Sequence, residues 1–145
     1  MTRFRNCVTV LVLGLASCDS RPPGPTLLPV TGTIKWKGEI LAGANIHVIP
    51  IGNTAGAGSL GRTDDQGVYK LKYFRGGDGA VAGEYKVVIS RRILPDGSAV
   101  PENYNVGPMD SDARESLPIE YSDPDQSTLT ATIAAGGAPV DFHLK

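Results

Sequence analysis

The run from Arg62 to Phe74, R-T-D-D-Q-G-V-Y-K-L-K-Y-F, most constrains the fold, because it joins a turn signal to alternating apolar and charged residues. Asp64, Asp65 and Gly67 are typical turn residues, since carboxylates bond nearby backbone N–H groups and glycine tolerates positive φ. The alternation that follows sets three apolar residues against two lysines: Tyr69, Leu71 and Tyr73 against Lys70 and Lys72. This pattern predicts a β-hairpin with one buried face.

The same period of two recurs along the rest of the chain. It predicts further strands at residues 30–36, 84–90, 128–133 and 140–144, while the mixed apolar residues of 44–51 predict a well-buried strand. The strand at 84–90 is expected in the same sheet as the first hairpin, and the last two strands are expected to form a terminal hairpin. With 18 glycines and 11 prolines in the chain, turns dominate over long helices. We therefore predict an all-β fold, a single seven-stranded antiparallel β-sandwich.

The alternation also predicts which side chains are buried. Six apolar residues are expected in the core and three lysines in water: Tyr69, Leu71, Tyr85, Val87, Leu129 and Phe142 against Lys70, Lys72 and Lys86. Trp36 is expected at the rim, with its ring against the domain and its N–H near water, because indole is apolar apart from that one donor.

Several stretches resemble the carboxypeptidase regulatory-like domain, a small transthyretin-like (prealbumin-like) β-sandwich, as it occurs in short bacterial lipoproteins. They are T-D-D-Q-G-V-Y-K-L, A-G-E-Y-K-V-V-I, V-T-G-T-I-K-W-K-G-E-I-L-A-G-A-N-I-H-V-I-P and L-P-I-E-Y-S-D-P-D-Q-S-T-L-T-A-T-I. The likeness covers roughly residues 29 to 144 and lies in the order of the stretches. It implies a fold and an extracytoplasmic location, and it brings no known catalytic residues.

The N-terminus has the pattern of an export signal, because Arg3 and Arg5 precede an apolar run. That run is about ten residues long, short of the roughly 20 that a bilayer-spanning helix needs. Leu15-Ala16-Ser17-Cys18 resembles the bacterial lipobox. We predict a signal peptide at 1–17, lipidation such as palmitate at Cys18, a proline-rich tether at 18–28 and the domain at 29–145. An ordinary signal peptide with a chance cysteine, or an uncleaved anchor, remains an alternative, and the choice between inner and outer membrane stays open.

The residue types that carry catalysis or bind metals are scarce and scattered. His47 and His143 stand in two different predicted strands, outside the H-x-x-E and H-E-x-x-H patterns of metallopeptidases, and no G-x-S-x-G elbow presents a serine. The hydroxyisourate hydrolases of the transthyretin-like fold end in Y-R-G-S, whereas this chain ends in F-H-L-K. Calcium is an alternative at the turn carboxylates of Asp64-Asp65 and of Asp123 and Asp125, although turns favour aspartate in any case. We predict no catalytic site, no metal and no cofactor.

Residues 92–118 form the least patterned stretch, which is rich in turn-forming residues. A loop of this length is either functional or disordered, so it is the first candidate for a partner surface, with Asn103, Tyr104 and Asn105 as candidate contacts. Nucleic acid is not an expected partner, because the net charge is -1 and no basic run exceeds Arg91-Arg92. We expect a non-enzymatic, lipid-anchored envelope module that binds a protein or a glycan. The alternative is an envelope hydrolase or a calcium-binding domain whose site no local motif reveals.

Overall fold

The structure, a computed structural model, describes residues 24–107 and 109–145. Strands occupy 38% of these residues and helix only 3%, so the predicted all-β class is confirmed. Its elements are β1 Thr31–Trp36, β2 Glu39–Ile40, β3 Asn45–Pro50, β4 Ser59–Arg62, β5 Val68–Lys70, β6 Lys72–Tyr73, β7 Gly83–Ser90, β8 Arg92–Ile93, β9 Arg114–Glu115, α1 Ile119–Ser122, β10 Thr130–Ile133 and β11 Phe142–Leu144. The predicted signal peptide and Cys18 lie outside the described residues.

The larger sheet, called here the β7 sheet, has five strands in the order β10-β7-β3-β4-β6, and every neighbouring pair is antiparallel. Its centre is the pairing of β3 with β7, in which Ile46 lies opposite Ile89 and Val48 opposite Val87. These four side chains are buried. The period-two pattern therefore fixes this register, since a slip by one residue would expose all of them.

The second sheet, called the β1 sheet, has β1 at its centre. β11 pairs with β1 in parallel, while β2 and β5 pair with it antiparallel. The expected terminal hairpin is wrong, because β10 joins the β7 sheet and β11 joins the β1 sheet. The linker between them, residues 134–141, crosses from one sheet to the other. At its end the Val140 N–H donates to the Thr31 carbonyl, and the Asp141 carboxylate accepts the Thr33 N–H, which fixes β11 beside β1.

The predicted hairpin at Arg62–Phe74 is divided between the two sheets instead of lying in one. β5 pairs with β1, and after Leu71 the same stretch continues as β6 and pairs with β4. Gly61 permits this crossing, because a Cβ there would lie 2.8 Å from the Lys70 carbonyl oxygen. The chain therefore turns a corner between the sheets at Leu71, as corner strands in packed sheets do.

One hydrophobic cluster draws side chains from both sheets. The β1 sheet contributes Ile34, Tyr69, Phe142 and Leu144, and the β7 sheet contributes Ile46, Tyr85, Val87, Ile89 and Ile133. Five of the six predicted core residues are buried, whereas Leu129 is half-buried at the edge of the cluster. Lys70 and Lys72 are exposed as predicted, but Lys86 is half-buried because its Nζ donates to the Pro124 carbonyl at 3.1 Å.

Trp36 departs from its predicted setting. The ring is half-buried as expected of a rim residue, and the Lys37 ammonium lies 4.8 Å from the ring centroid. Its Nε1, however, is buried and has no hydrogen-bond partner among the described residues, so the expectation of an N–H near water is wrong. The packing of the ring against the core cluster accounts for this, since it turns the donor edge away from solvent.

Polar contacts bind both ends of the stretch at 92–118 to the sheets. β8 pairs with β9, and the Glu115 carboxylate accepts the N–H groups of Arg91, Ser116 and Leu117 at 2.9 to 3.0 Å. The second carboxylate oxygen accepts the Ser90 hydroxyl at 2.6 Å. Contacts of this kind are not visible in an apolar pattern.

Candidate functional site

An open groove of about 900 Å³ lies between the corner where the chain crosses sheets and the loop at residues 100–106. We call it the corner groove. Its floor is made by β4, β5 and β6, and its opposite wall by Val100, Pro101, Glu102, Tyr104 and Val106. The sequence builds the floor by alternation, because the residues between the buried Tyr69, Leu71 and Tyr73 must point outward.

The outward residues along the floor are Lys70, Lys72 and Phe74, and all three are exposed. Leu60 of β4 lies opposite Lys72 in the ladder and adds a second apolar group, 43% exposed. The floor therefore presents two ammonium groups, an aromatic ring and an aliphatic side chain to the groove.

Two arginines fasten the loop wall to the sheets. The Arg62 guanidinium donates to the Asn45 Oδ1 at 3.1 Å and to the Val100 carbonyl, which joins β4 to the start of the wall. The Arg92 carbonyl accepts the Val100 N–H at 3.0 Å, while the Arg92 guanidinium donates to the Ala113 carbonyl at 2.8 Å, outside the wall. Since guanidinium donors are rigid and planar, the Arg62 contacts hold the start of the wall at a set distance from the floor.

Of the three residues predicted as contacts, the structure brings only Tyr104 into the groove. Its ring is half-buried, and its N–H donates to the Pro101 carbonyl at 3.1 Å, which makes a turn of the wall. Asn103 and Asn105 are exposed and lie outside the groove lining. Lys70, Lys72 and Phe74 were not among the predicted site residues, because from sequence alone an outward lysine looks like any solvated position.

The groove is more basic than the chain as a whole. Its charged lining consists of four basic and two acidic residues, Arg62, Lys70, Lys72 and Arg92 against Asp64 and Glu102, so its formal charge is +2 while that of the chain is -1. The Asp64 carboxylate already accepts the Gln66 and Val68 N–H groups at 2.9 and 3.0 Å, as an aspartate in a turn does.

The two histidines lie in different sheets. His47 is on β3, half-buried between Leu60 and Val88 in the ladder, and burial lowers the pKa of its imidazole. His143 is exposed on β11, next to Asp141. The N–H and hydroxyl of Thr33 hold the pKa of the Asp141 carboxyl below its usual value, with smaller contributions from His143 and Lys35.

The aspartates considered for calcium have local roles. Asp123 accepts the Asp125 and Gln126 N–H groups at 2.7 and 3.2 Å through one oxygen, which closes a turn. Within residues 24–107 and 109–145 there is no group of three or more histidine, cysteine, aspartate or glutamate side chains placed to hold a metal ion. No helix in this same part of the chain is long and apolar enough to cross a membrane.

Comparisons with known proteins found no matching family model, no matching curated protein and no matching solved structure.

Proposed function

We propose that this protein is a non-enzymatic, lipid-anchored module of the cell envelope that binds a protein or glycan partner in the corner groove. The observation that carries the proposal is the groove itself. Its lining contains two exposed lysines, an exposed phenylalanine and Tyr104 of the loop predicted to bind a partner. Concave sites with aromatic side chains and a few charged groups are the usual form of binding sites.

The proposed fold is the seven-stranded, transthyretin-like sandwich that the sequence resemblance implies. Two features support it. The two sheets share one hydrophobic cluster. In addition, counting β5 and β6 as one bent strand and setting aside the two-residue strands β2, β8 and β9 leaves seven strands. A fold of this kind does not by itself imply a function, so the proposed function rests on the groove.

The proposed lipid anchor rests on the L-A-S-C motif at Cys18 and the proline-rich stretch after it. Each buried acyl CH₂ contributes about 0.8 kcal/mol of membrane affinity, so stable anchoring requires more than one acyl chain. Radiolabelled palmitate should enter the wild-type protein, and Cys18→Ser should lose both the label and membrane partitioning. A Cys18→Ser variant that still fractionates with membranes would contradict the lipoprotein assignment.

The proposal of binding instead of catalysis rests on how the polar groups are used. His47 and His143 belong to different sheets, and neither stands at the groove lining. The groove's buried hydroxyl, that of Thr63, donates to the Leu41 carbonyl at 2.6 Å and accepts the Ala44 N–H at 2.8 Å. A nucleophile needs a base within hydrogen-bond reach. Both of these contacts of the Thr63 hydroxyl are to backbone groups instead.

Site-specific photocrosslinking tests the groove as the partner site. A benzophenone amino acid in place of Tyr104 should capture an envelope partner in intact cells, and the capture should be lost when Phe74→Ala is added. The same probe in place of Tyr121, another half-buried tyrosine that lies on α1 and outside the groove, is the matched control. Equal capture from both positions, or capture that is indifferent to Phe74→Ala, would overturn the assignment of the groove.

A further inference from the structure

We infer that the partner presents to the corner groove an extended acidic peptide with a carboxylate at every second residue followed by an apolar side chain. This inference rests on the proposed function, because it names the occupant of that same groove. It concerns the chemistry of the partner, which no sequence motif in this chain indicates.

The spacing of the floor residues is the first argument. Lys70 of β5 and Lys72 of β6 are exposed on either side of the buried Leu71, Phe74 is exposed in the turn that follows β6, and all three line the groove. In an extended chain, residues two apart are about 7 Å from each other. A second extended chain has the same spacing, so its side chains at positions i and i+2 can meet the two lysines, and an apolar side chain that follows them can cover Phe74.

The distribution of apolar surface is the second argument. Six large hydrophobic side chains are exposed within residues 24–107 and 109–145, and three of them, Leu60, Phe74 and Val106, line the groove. Phe74 is 66% exposed. Exposed apolar side chains that cluster and are bordered by charges are typical of interaction sites. An occupant that covers them needs apolar side chains of its own.

The charges supply the third argument. The Arg62 and Arg92 guanidinium groups donate to the Val100 and Ala113 carbonyls, so both are engaged within the protein. Lys70 and Lys72 are exposed on the floor. The formal charge of +2 on the lining, set against -1 for the chain, attracts an anionic segment.

The polar groups argue for a peptide over a glycan. Sugar recognition needs hydroxyl and amide groups that can bond to sugar hydroxyls, and three such residues of the groove already bond within the protein. The Tyr73 hydroxyl accepts the Ala57 N–H at 2.8 Å, the Asn45 Oδ1 accepts from Arg62, and the Thr63 hydroxyl donates to one backbone group and accepts from another. Apart from the Tyr104 hydroxyl, the exposed groups that dominate the groove are cationic and apolar, which suits a peptide with acidic and aliphatic side chains.

The test uses the full chain in a nonionic detergent and a fluorescein-labelled peptide that repeats Glu-Thr-Glu-Thr-Leu, with binding measured by fluorescence anisotropy. We expect saturable binding that weakens as salt is added, because salt screens exposed charges. A peptide of identical composition in the order Glu-Glu-Thr-Thr-Leu should bind more weakly, since one carboxylate of each pair then points away from the lysines. Equal binding of the two peptides would overturn the inference.

Variants of the floor residues complete the test. Lys70→Glu or Lys72→Glu should each weaken binding about tenfold, since a charge that attracted a carboxylate now repels it. Lys145→Glu makes the same charge change at an exposed residue outside the groove and should leave binding unchanged. Equal losses in Lys72→Glu and Lys145→Glu would show a general charge effect and contradict the inference.

Failure of this inference is distinguishable from failure of the proposed function. If the acidic peptide does not bind while the probe at Tyr104 still captures a partner that Phe74→Ala abolishes, the groove is the partner site and the occupant has different chemistry. If a uronic-acid oligosaccharide binds in place of the peptide and depends on Lys70 and Lys72, the peptide assignment is wrong and the glycan takes its place.

Discussion

Replacing Phe142 with alanine should remove a large part of the stability of the domain. Phe142 lies on β11 opposite Ile34, is 7% exposed, and its ring centroid is 6.5 Å from that of Tyr69. Truncating a buried phenylalanine costs about 3 to 5 kcal/mol, because the transfer free energy of the ring is lost and a cavity remains. A domain of this size is stable by about 5 to 15 kcal/mol, so most of the margin of a weakly stable domain would disappear.

Urea unfolding of the full chain in detergent, followed by the fluorescence of the single tryptophan, measures this effect. Trp36 is a suitable reporter, since it lies opposite Leu144 in the same β1–β11 ladder. With a slope of about 1.5 kcal/mol per molar urea, the midpoint should fall by about 2 to 3 M. Phe74→Ala is the matched control, because the same truncation at a residue that is 66% exposed should change stability by less than about 0.5 kcal/mol. A loss below about 1 kcal/mol for Phe142→Ala would show that β11 is peripheral to the core, contrary to the packing described above.

Two further predictions concern polar groups. Glu115→Gln should weaken the attachment of residues 92–118, because in the wild type one carboxylate oxygen accepts three N–H groups and the other accepts the Ser90 hydroxyl. Amide hydrogen exchange at Arg91 and Leu117 should become about tenfold faster, which corresponds to a loss of roughly 1.4 kcal/mol in local stability. Glu120→Gln, on the exposed face of α1, should leave those exchange rates unchanged. His47→Gln should reduce the loss of unfolding free energy that the wild type shows at acid pH. Burial lowers the imidazole pKa in the folded state, so the unfolded chain binds the proton more tightly and wild-type stability falls as the pH drops below about 6.5. Urea midpoints measured across that range check this, and parallel curves for wild type and variant would contradict it.

The sequence pattern predicted β1, β3, β5 to β7, β10 and β11, but not the partners of these strands. Residues 84–90 lie in β7 and residues 128–133 contain β10. Their partners could not be predicted in the same way, because period two reports only which face of a strand is buried. Whether β11 returns to β10 or crosses to β1 depends on contacts distant in sequence, such as the bonds between Thr33 and the Asp141 carboxylate. The crossing at Leu71 likewise depends on the missing Cβ at Gly61. A glycine in a strand indicates that another group approaches closely, but it does not identify that group.

The candidate site was predicted only in part, for a related reason. Tyr104 belonged to a stretch whose length and composition singled it out, and it does line the groove. Lys70 and Lys72 were correctly expected to face water, yet their role in the groove depends on the wall that Arg62 fastens to β4 through Asn45 and Val100. A hydrogen bond from a side chain to a distant carbonyl cannot be recognised in a single sequence. The concave shape that makes the two exposed lysines part of a candidate site could therefore not be predicted.

The exposure of the groove bears on how tightly it can bind. Lys70 and Lys72 are exposed, and ion pairs at such positions contribute only about 0 to 1 kcal/mol each, so most of the affinity must come from covering Phe74, Leu60 and Val106. We therefore expect the groove to bind the proposed partner weakly in free solution. The proposed anchor at Cys18 offsets this weakness, because a module and a partner held at one membrane meet at an effective concentration far above that of freely diffusing molecules. In this proposal the lysines determine the choice of partner and the rate of encounter, and the apolar side chains determine the lifetime of the complex. The tether allows a modest affinity to be sufficient for binding at the membrane.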